Sequence, residues 1–411
     1  MSLVIQKFGG TSVRDAARRD IVAQWVQKAV REGHHVVVVV SAMGRLGDPY
    51  ATDTLLSLLD NGTEGALDER DLLISCGEII SAVILAGHLR SVGLQSRAIT
   101  GGDAGIVTDA NFGDARIVEV KPQALESLVA QGIVPVVAGF QGRTPDGRVA
   151  TLGRGGSDTT AVALGAALGA EVVDIFTDVD GIKTADPRIV PEARTISSLD
   201  YEEVFQLANL GAKVIHPRAV EIGRQFGVTI RVRSTFSESL GTIIASGQGI
   251  LDAWGHRDPD HSVTGITQLD HLLQFRVTPP ETMHKDWAFQ LFMALGERGV
   301  SVDLINLFPD QVYFCVPPEK NAVTQEILET SGFGYEAFDD RAKVSIVGSA
   351  IQGLPGVVGR VMAAMAQSDI EILQSADSHS TITLLLHRSD MERAVSALHK
   401  QFHLAEEVPK G

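Results

Sequence analysis

The sequence predicts an α/β protein: a mainly parallel sheet sandwiched by helices, followed by two ferredoxin-like α+β units. Three observations predict it. Up to about residue 244, near-continuous β-branched runs alternate with helix-length amphipathic segments, as in a parallel sheet buried on both faces. Residues 245–261 then change to glycine, aspartate, proline and histidine with little periodicity, and read as a linker. Beyond them the chain repeats itself. Val302-Asp303-Leu304-Ile305-Asn306 resembles Ile370-Glu371-Ile372-Leu373-Gln374, each with a helix pattern before it and a strand and helix after it. Two such β-α-β-β-α units make a duplicated ferredoxin-like half.

The elements follow in order. Strands are expected at 3–8, 36–41, 96–100, 133–140, 172–177 and 229–233, and helices at 16–31, 68–92, 122–131, 159–168, 201–210 and 218–226. Most of these strands run into Gly, Ser, Thr or charged residues, as a ligand site beyond the strands' carboxyl ends requires. In the repeat, strands are expected at 272–277, 302–306, 312–316, 343–347, 370–374 and 382–386. Helices are expected there at 287–297, 321–330, 358–367 and 391–401. The domains are therefore 1–245, a linker at 246–262, then 263–340 and 341–411, with the last residues able to pair back on the first small unit.

Bulk properties narrow the function. A chain of 411 residues exceeds one compact core, and 44% hydrophobic content is that of a globular protein. A net charge of -16 argues against nucleic-acid and anionic-membrane partners. Cys76 and Cys315 lie far apart without metal-ligand spacing, which suggests a reducing compartment. The chain enters a strand at once, with no signal-peptide pattern, and its longest apolar runs, such as 36–40, are strand-sized. The expectation is a cytoplasmic enzyme.

Four motifs carry chemistry. The first is Lys7-Phe8-Gly9-Gly10-Thr11-Ser12, a strand running into a glycine pair and a helix pattern. Glycines let backbone N–H groups approach a phosphate closely. The lysine precedes the glycines, the reverse of a Walker A loop. A tight turn with an exposed lysine would look the same. The second is Leu152-Gly153-Arg154-Gly155-Gly156-Ser157-Asp158, with Ser157 placed to cap a helix and Asp158 in its first turn. Capping does not explain an arginine among glycines, where its fork is free for a carboxylate or phosphate. Third, Phe176-Thr177-Asp178-Val179-Asp180-Gly181 leads through Lys183 to Asp186-Pro187-Arg188. Turn chemistry accounts for the Asp-Gly and Asp-Pro pairs but does not require Thr177, Asp178 or Arg188. Fourth, Gly211-Ala212-Lys213-Val214-Ile215-His216-Pro217 sets a lysine before a proline that opens a helix, with His216 read as structural. Two weaker elements are Ser41-Ala42-Met43-Gly44 at a strand end and Gly77-Glu78 at the start of an apolar helix, where the helix dipole alone would favour an acid.

In this order, and with Gly139-Phe140-Gln141-Gly142 between them, the motifs resemble those of the aspartokinases in the amino acid kinase family, over essentially the whole chain. The terminal repeat resembles that family's paired ACT domains. The stretch 47–56 is most similar to monofunctional, diaminopimelate-sensitive aspartokinases of Gram-positive bacteria. No chain is left for a fused homoserine dehydrogenase. The resemblance implies ATP-dependent phosphorylation of the L-aspartate β-carboxylate to 4-phospho-L-aspartate. That reaction is the first step toward diaminopimelate, lysine, threonine and methionine, and it implies Mg²⁺ and feedback by an amino acid.

It also implies roles. Lys7 faces the transferred phosphoryl group, and Gly9 and Gly10 cradle phosphate. Ser41 and Thr52 stand near substrate and phosphates. Glu78 holds the aspartate ammonium, and Arg154 a carboxylate, with Ser157 and the catalytic Asp158 beside it. Thr177, Asp178, Arg188 and Lys213 contact nucleotide, as does Lys183, which stands where the family usually has an aromatic residue. Effector residues would be Asp303, Asn306, Gln374 and the loop Pro355-Gly356-Val357. The first ACT-like unit lacks that loop's Pro-Gly pair, reading Thr278-Pro279-Pro280-Glu281-Thr282. Exposed edges of the ACT-like sheets favour a homodimer or higher homo-oligomer.

The chemistry needs no general base, since a β-carboxylate is already ionised at neutral pH. Positioning and charge neutralisation suffice for phosphoryl transfer. A glutamate acceptor on the same fold and a sensor without turnover are the competing readings.

Overall fold

Leu3–Phe8 (β1) is the strand around which the first unit of this computed structural model is built. The structure describes all residues except 1, 60–65, 213, 248–262, 281–285, 349–350, 352–353 and 407–411. The expected linker therefore lies almost wholly outside the described residues, as does the end of the chain.

After β1 come one helical turn, α1 (Gly10–Val13), then α2 (Ala16–Arg31), β2 (His35–Val40), α3 (Thr52–Leu56) and α4 (Leu67–Ser91). Next are β3 (Ser96–Ile99), β4 (Ile106–Thr108), β5 (Ile117–Val120), α5 (Gln123–Ala130), β6 (Val134–Ala138), β7 (Gln141–Arg143) and β8 (Val149–Thr151). The unit continues with α6 (Gly156–Leu168), β9 (Val172–Thr177), β10 (Ser198–Leu199), α7 (Tyr201–Asn209), α8 (Pro217–Phe226), β11 (Ile230–Ser234) and β12 (Thr242–Ile244).

The main sheet runs β10-β12-β11-β9-β1-β2-β6-β3 and is parallel except where β12 lies antiparallel to β11. The chain leaves β1 in one direction along the sheet and returns to β9 on its other side. This makes the carboxyl end of β1 the switch point at which such sheets bind ligands. The alternation of side chains decides what meets there. Val4 and Phe8 pack into the core beneath α2 and α4, with Val22, Val26 and Leu85. Ile5 and Lys7 take the opposite face, under α6.

The small residues of α6 bring it close to the sheet. A Cβ on Gly165 would lie 2.4 Å from Val173 Cγ2. By length and apolar content α4 would also pass for a membrane span, against the expectation of strand-sized apolar runs only. It is a core helix here, carrying buried Asp71 and Glu78 and packing on the sheet. A second sheet, β5-β4-β7-β8, was not foreseen. Its strands are three or four residues long, too short for a periodic signal.

The second unit comprises residues 183–194, 209–212 and 250–411. It contains β13 (Gly265–Thr278), α9 (Trp287–Glu297), β14 (Asp303–Leu307), β15 (Val312–Val316) and α10 (Asn321–Thr330). These are followed by β16 (Gly334–Val347), α11 (Val357–Gln367), β17 (Gln374–Asp377), β18 (Thr381–His387) and α12 (Met391–Gln401). The duplicated β-α-β-β-α order is present. However, β13 and β16 are 14 residues long, with bulges, and pair along their length, fusing both repeats into one sheet, β14-β15-β13-β16-β18-β17. The strand expected at 370–374 starts only at Gln374, because Ile370 is drawn into the core of the second repeat.

Candidate active site

Lys7 is the last residue but one of β1, opposite Val39 and Ile175. Its Nζ lies 2.6 Å from Asp158 Oδ1 in the first turn of α6, and both side chains are largely buried. Around this pair is a cleft of about 520 Å³, within the range of small-molecule sites. Ser41, Thr52, Glu78, Arg154, Ser157 and Asp158 all line it with Lys7. Residues expected on five separate segments thus meet at the switch point.

Glu78 sits in the fourth turn of α4, not at its start, so the helix dipole does not account for it. It is buried, and desolvation pushes its pKa up to about 8. The Ala42 N–H, donating to Oε1 at 3.0 Å, and the Thr52 hydroxyl act in the opposite direction. Oε2 is buried with no hydrogen-bond partner among the described residues. A carboxyl group in this state binds a cation more strongly than it tolerates standing alone.

Arg154 lies exposed between Gly153 and Gly155, which adopt φ +70° and +67°. It makes no hydrogen bond or ion pair among the described residues, so its fork is free for an anion. Ser157 is not the helix cap. Gly155 holds that position in left-handed conformation, and Ser157 lies inside α6, buried against the cleft. A left-handed cap leaves no place for a serine with its Cβ.

The glycine pair separates into two cases. A Cβ on Gly10 would lie 2.3 Å from the Ala42 carbonyl oxygen, so packing alone demands glycine there. On Gly9 it would meet nothing closer than 3.8 Å, and φ is -69°. Packing therefore leaves Gly9 unexplained. The helix after the pair is the single turn α1, since Asp15 caps a new helix by accepting from Arg18 N–H.

The other nucleotide candidates are less gathered. Asp178 forms an exposed ion pair with Arg45 at 2.8 Å and accepts from Thr177 at 3.3 Å. Lys183 and Arg188 belong to the second unit. Arg188 forks onto Asp186, with Nη2 to Oδ2 at 2.6 Å, and holds that carboxyl below its usual range. Lys213 lies outside the described residues. His216 is the N-cap of α8. Burial lowers its pKa, and Nδ1 accepts the Arg218 N–H at 3.4 Å.

Two residues of the cleft, Arg70 and Phe140, and one of a neighbouring pocket, Arg45, received no role from the sequence. Arg70 adds a second guanidinium from α4, its Nε buried without a partner. Arg45 lines the neighbouring pocket with Gly10, Ser41 and Thr52. Phe140 lines the cleft in a left-handed conformation, φ +70°, its N–H held by Thr160 Oγ1 at 3.1 Å. A non-glycine residue so strained marks a functional region.

Of the effector candidates, Asn306 and Gln374 meet within the chain, Gln374 Nε2 donating to Asn306 Oδ1 at 3.1 Å. Gln374 Oε1 accepts from Gln274, whose own carbonyl oxygen accepts from Arg341, each at 3.0 Å. Asp303 pairs with Lys343. Pro355 and Gly356 are exposed, with Gly356 at φ +95° capping α11, whereas the Val357 side chain is buried in the core.

Comparisons with known proteins give the chain's family. Residues 2–234 match the amino acid kinase family, and residues 336–400 match an ACT domain. The chain is 46% identical to Aspartokinase 1 of Bacillus subtilis over 407 residues, covering 98% of this chain and all of that one. It is 39% identical to a Thermus thermophilus aspartokinase over 420 residues, covering 98% and 99%. The crystal structure of Escherichia coli aspartokinase III with aspartate and ADP superposes with a TM-score of 0.75 at 24% identity, covering 97% of this chain and 99% of that one. Sequence and fold together show that the chain belongs to the aspartokinases, the kinases of the amino acid kinase family that carry ACT domains.

Proposed function

We propose that the cleft transfers the γ-phosphoryl group of ATP to the β-carboxylate of L-aspartate, giving ADP and 4-phospho-L-aspartate. The observation that carries this reading is the pairing of Glu78 with Arg154 in one cleft with Lys7. A buried acid with an unpartnered oxygen suits an ammonium, and a free guanidinium suits an α-carboxylate. With both held, the remaining carboxylate is turned toward Lys7. Ammonium entry makes the Glu78 carboxylate the favoured form, so Glu78 releases a proton as substrate binds.

Lys7 draws the transferring phosphoryl group and the attacking oxygen together, and Asp158 holds Lys7 in place. Gly9 leaves space for phosphate beside the backbone. Ser41, Thr52 and Ser157 supply hydroxyls, and Thr177, Asp178, Lys183, Arg188 and Lys213 are the residues assigned to nucleotide. No proton need be removed from the nucleophile, so positioning and charge neutralisation carry the rate.

The described residues contain no group of three His, Cys, Asp or Glu fit to hold a metal. Mg²⁺ would therefore be held chiefly by the nucleotide's phosphates and water, its usual mode, where it neutralises phosphate charge.

For the second unit we place an amino-acid effector near Asp303, Asn306, Gln374 and the 355–357 loop, and pairing of chains through the terminal strands of the sheet, β14 and β17. An E. coli aspartokinase III structure holding lysine and aspartate is described as a T state, which supports such control. Both cysteines are free thiols, in keeping with a cytoplasmic location.

The test is ADP release coupled to a dehydrogenase, with L-aspartate, L-glutamate and N-acetyl-L-glutamate as acceptors. Turnover with aspartate well above both others supports the reading. Equal rates with all three, or none with aspartate, would sink it.

A further inference from the structure

Arg154 faces a problem that its neighbours cannot solve. It stands between two glycines in left-handed conformation, in a loop that its own side chain does not anchor. Glycine confers maximal backbone freedom, and an unanchored loop would spread the guanidinium over many positions. Yet the backbone leading into this loop is gripped from two directions by side chains that the reaction does not use.

On one side is Asp71 of α4, fully buried. Its Oδ2 accepts from the Thr151 N–H at 2.6 Å and from the Gly113 N–H at 2.9 Å, while Oδ1 accepts from the Thr151 hydroxyl at 2.8 Å. Thr151 ends β8, three residues before Arg154, and Gly113 lines the cleft. Asp71 also lies seven residues before Glu78, so both project from one face of the same helix. It therefore ties the strand leading to Arg154 directly to the helix that carries Glu78.

On the other side is Arg218 of α8. Its Nη1 donates to the Leu152 carbonyl at 3.0 Å and the Ala115 carbonyl at 3.3 Å, and its Nη2 pairs with Asp114 at 3.0 Å. Ala115 N–H in turn donates to the Thr151 carbonyl at 2.9 Å. Together the two side chains hold residues 113–115 and 151–152 as one block.

We propose that Asp71 and Arg218 are positioning residues that fix Arg154 relative to Glu78, and so set the recognition of the amino-acid acceptor. The proposal rests on the reading of Arg154 as the carboxylate anchor. Neither residue touches substrate; each acts through the loop.

The test uses the full-length enzyme with Asp71→Asn, Arg218→Met and Arg154→Lys, alone and combined, measuring KM for aspartate, KM for ATP and kcat. Asparagine turns a donor toward donors where the carboxylate accepted three bonds, and methionine keeps the stem of Arg218 without its fork. Each brace variant is expected to raise KM for aspartate about tenfold or more, since small misplacements at a reacting site are costly. KM for ATP should stay within about twofold, and the effect should largely vanish in the Arg154→Lys background.

A merely structural role would lower thermal stability and leave the KM values of the folded fraction alone; that result, or effects that simply multiply with Arg154→Lys, would overturn the proposal. If Arg154→Lys is impaired while both brace variants bind aspartate normally, the brace fails and the anchor stands. If Arg154→Lys itself leaves KM for aspartate unchanged, the anchor reading falls and takes the brace with it. Should Asp71→Asn not fold, Arg218→Met, altering a partly exposed side chain, decides the outcome alone.

Discussion

Lys7 Nζ and Asp158 Oδ1 lie 2.6 Å apart, joining the end of the central strand to the first turn of the helix above it. The alternation of β1 puts Lys7 on the α6 side, and the glycine-rich turn starts α6 where its one acid, Asp158, reaches back. An ammonium held this way is aimed before the nucleotide arrives, which is what phosphoryl transfer requires of a protein. Lys7→Ala is expected to lower kcat by about 10²–10³-fold, and Asp158→Asn by about tenfold or more while the fold persists. Steady-state kinetics beside circular dichroism checks this; an unchanged kcat in either variant would remove the pair from the mechanism.

Burial raises the Glu78 pKa from 4.5 to about 8, which links stability to pH. The folded protein keeps a proton there that the unfolded chain releases, so stability contributed by this group falls as pH rises from 4.5 to 8. Glu78→Gln removes that loss. At pH 8 the unliganded variant should melt several degrees above the parent, by on the order of a few kcal/mol, with the gap closing near pH 4.5. Scanning calorimetry across pH reads it, and a gap that widens toward acid would contradict the assignment.

The same shift predicts proton release on binding. At pH 7 aspartate should displace close to one proton from Glu78, and at pH 9 almost none. Titration calorimetry in buffers of different ionisation enthalpy counts the protons, and an uptake at pH 7 would show that Glu78 is not the ammonium's partner.

Gly9 and Gly10 should separate function from packing. Gly10→Ala drives a Cβ against the Ala42 carbonyl and should destabilise the fold, whereas Gly9→Ala makes only ordinary van der Waals contacts, at 3.8 Å from Lys7 Nζ and the Phe176 carbonyl oxygen. Gly9→Ala is therefore expected to melt within a degree or two of the parent and yet to raise KM for ATP about tenfold or more. Equal KM values would leave Gly9 without a phosphate role.

The sequence carried most of this architecture because its strands are strongly apolar and its helices long. Lys7, Arg154 and Glu78 were legible because glycines or an apolar helix surround them, and a charge in such company stands out. Asp71 was legible in principle, since Asp71, Ser75 and Glu78 form a buried polar stripe at positions i, i+4 and i+7 of α4. It was missed because a helix read for apolar periodicity treats its acids as surface. Phe140 was hidden because a left-handed backbone leaves no compositional mark on a phenylalanine. The fusion of the two repeats was hidden too, because β13 and β16 contain polar, bulged stretches that break the alternation. Arg70 and Arg45 gave no signal, as a lone arginine reads as solvated.

The cleft, on this reading, recognises an amino acid through its ammonium and phosphorylates the side-chain carboxylate. Trapping the acyl phosphate with hydroxylamine tests it most directly, using L-aspartate, N-acetyl-L-aspartate and succinate with ATP. L-Aspartate should give ATP-dependent β-aspartyl hydroxamate, and the two acceptors without an ammonium negligible product. No hydroxamate from L-aspartate, or as much from succinate, would contradict it.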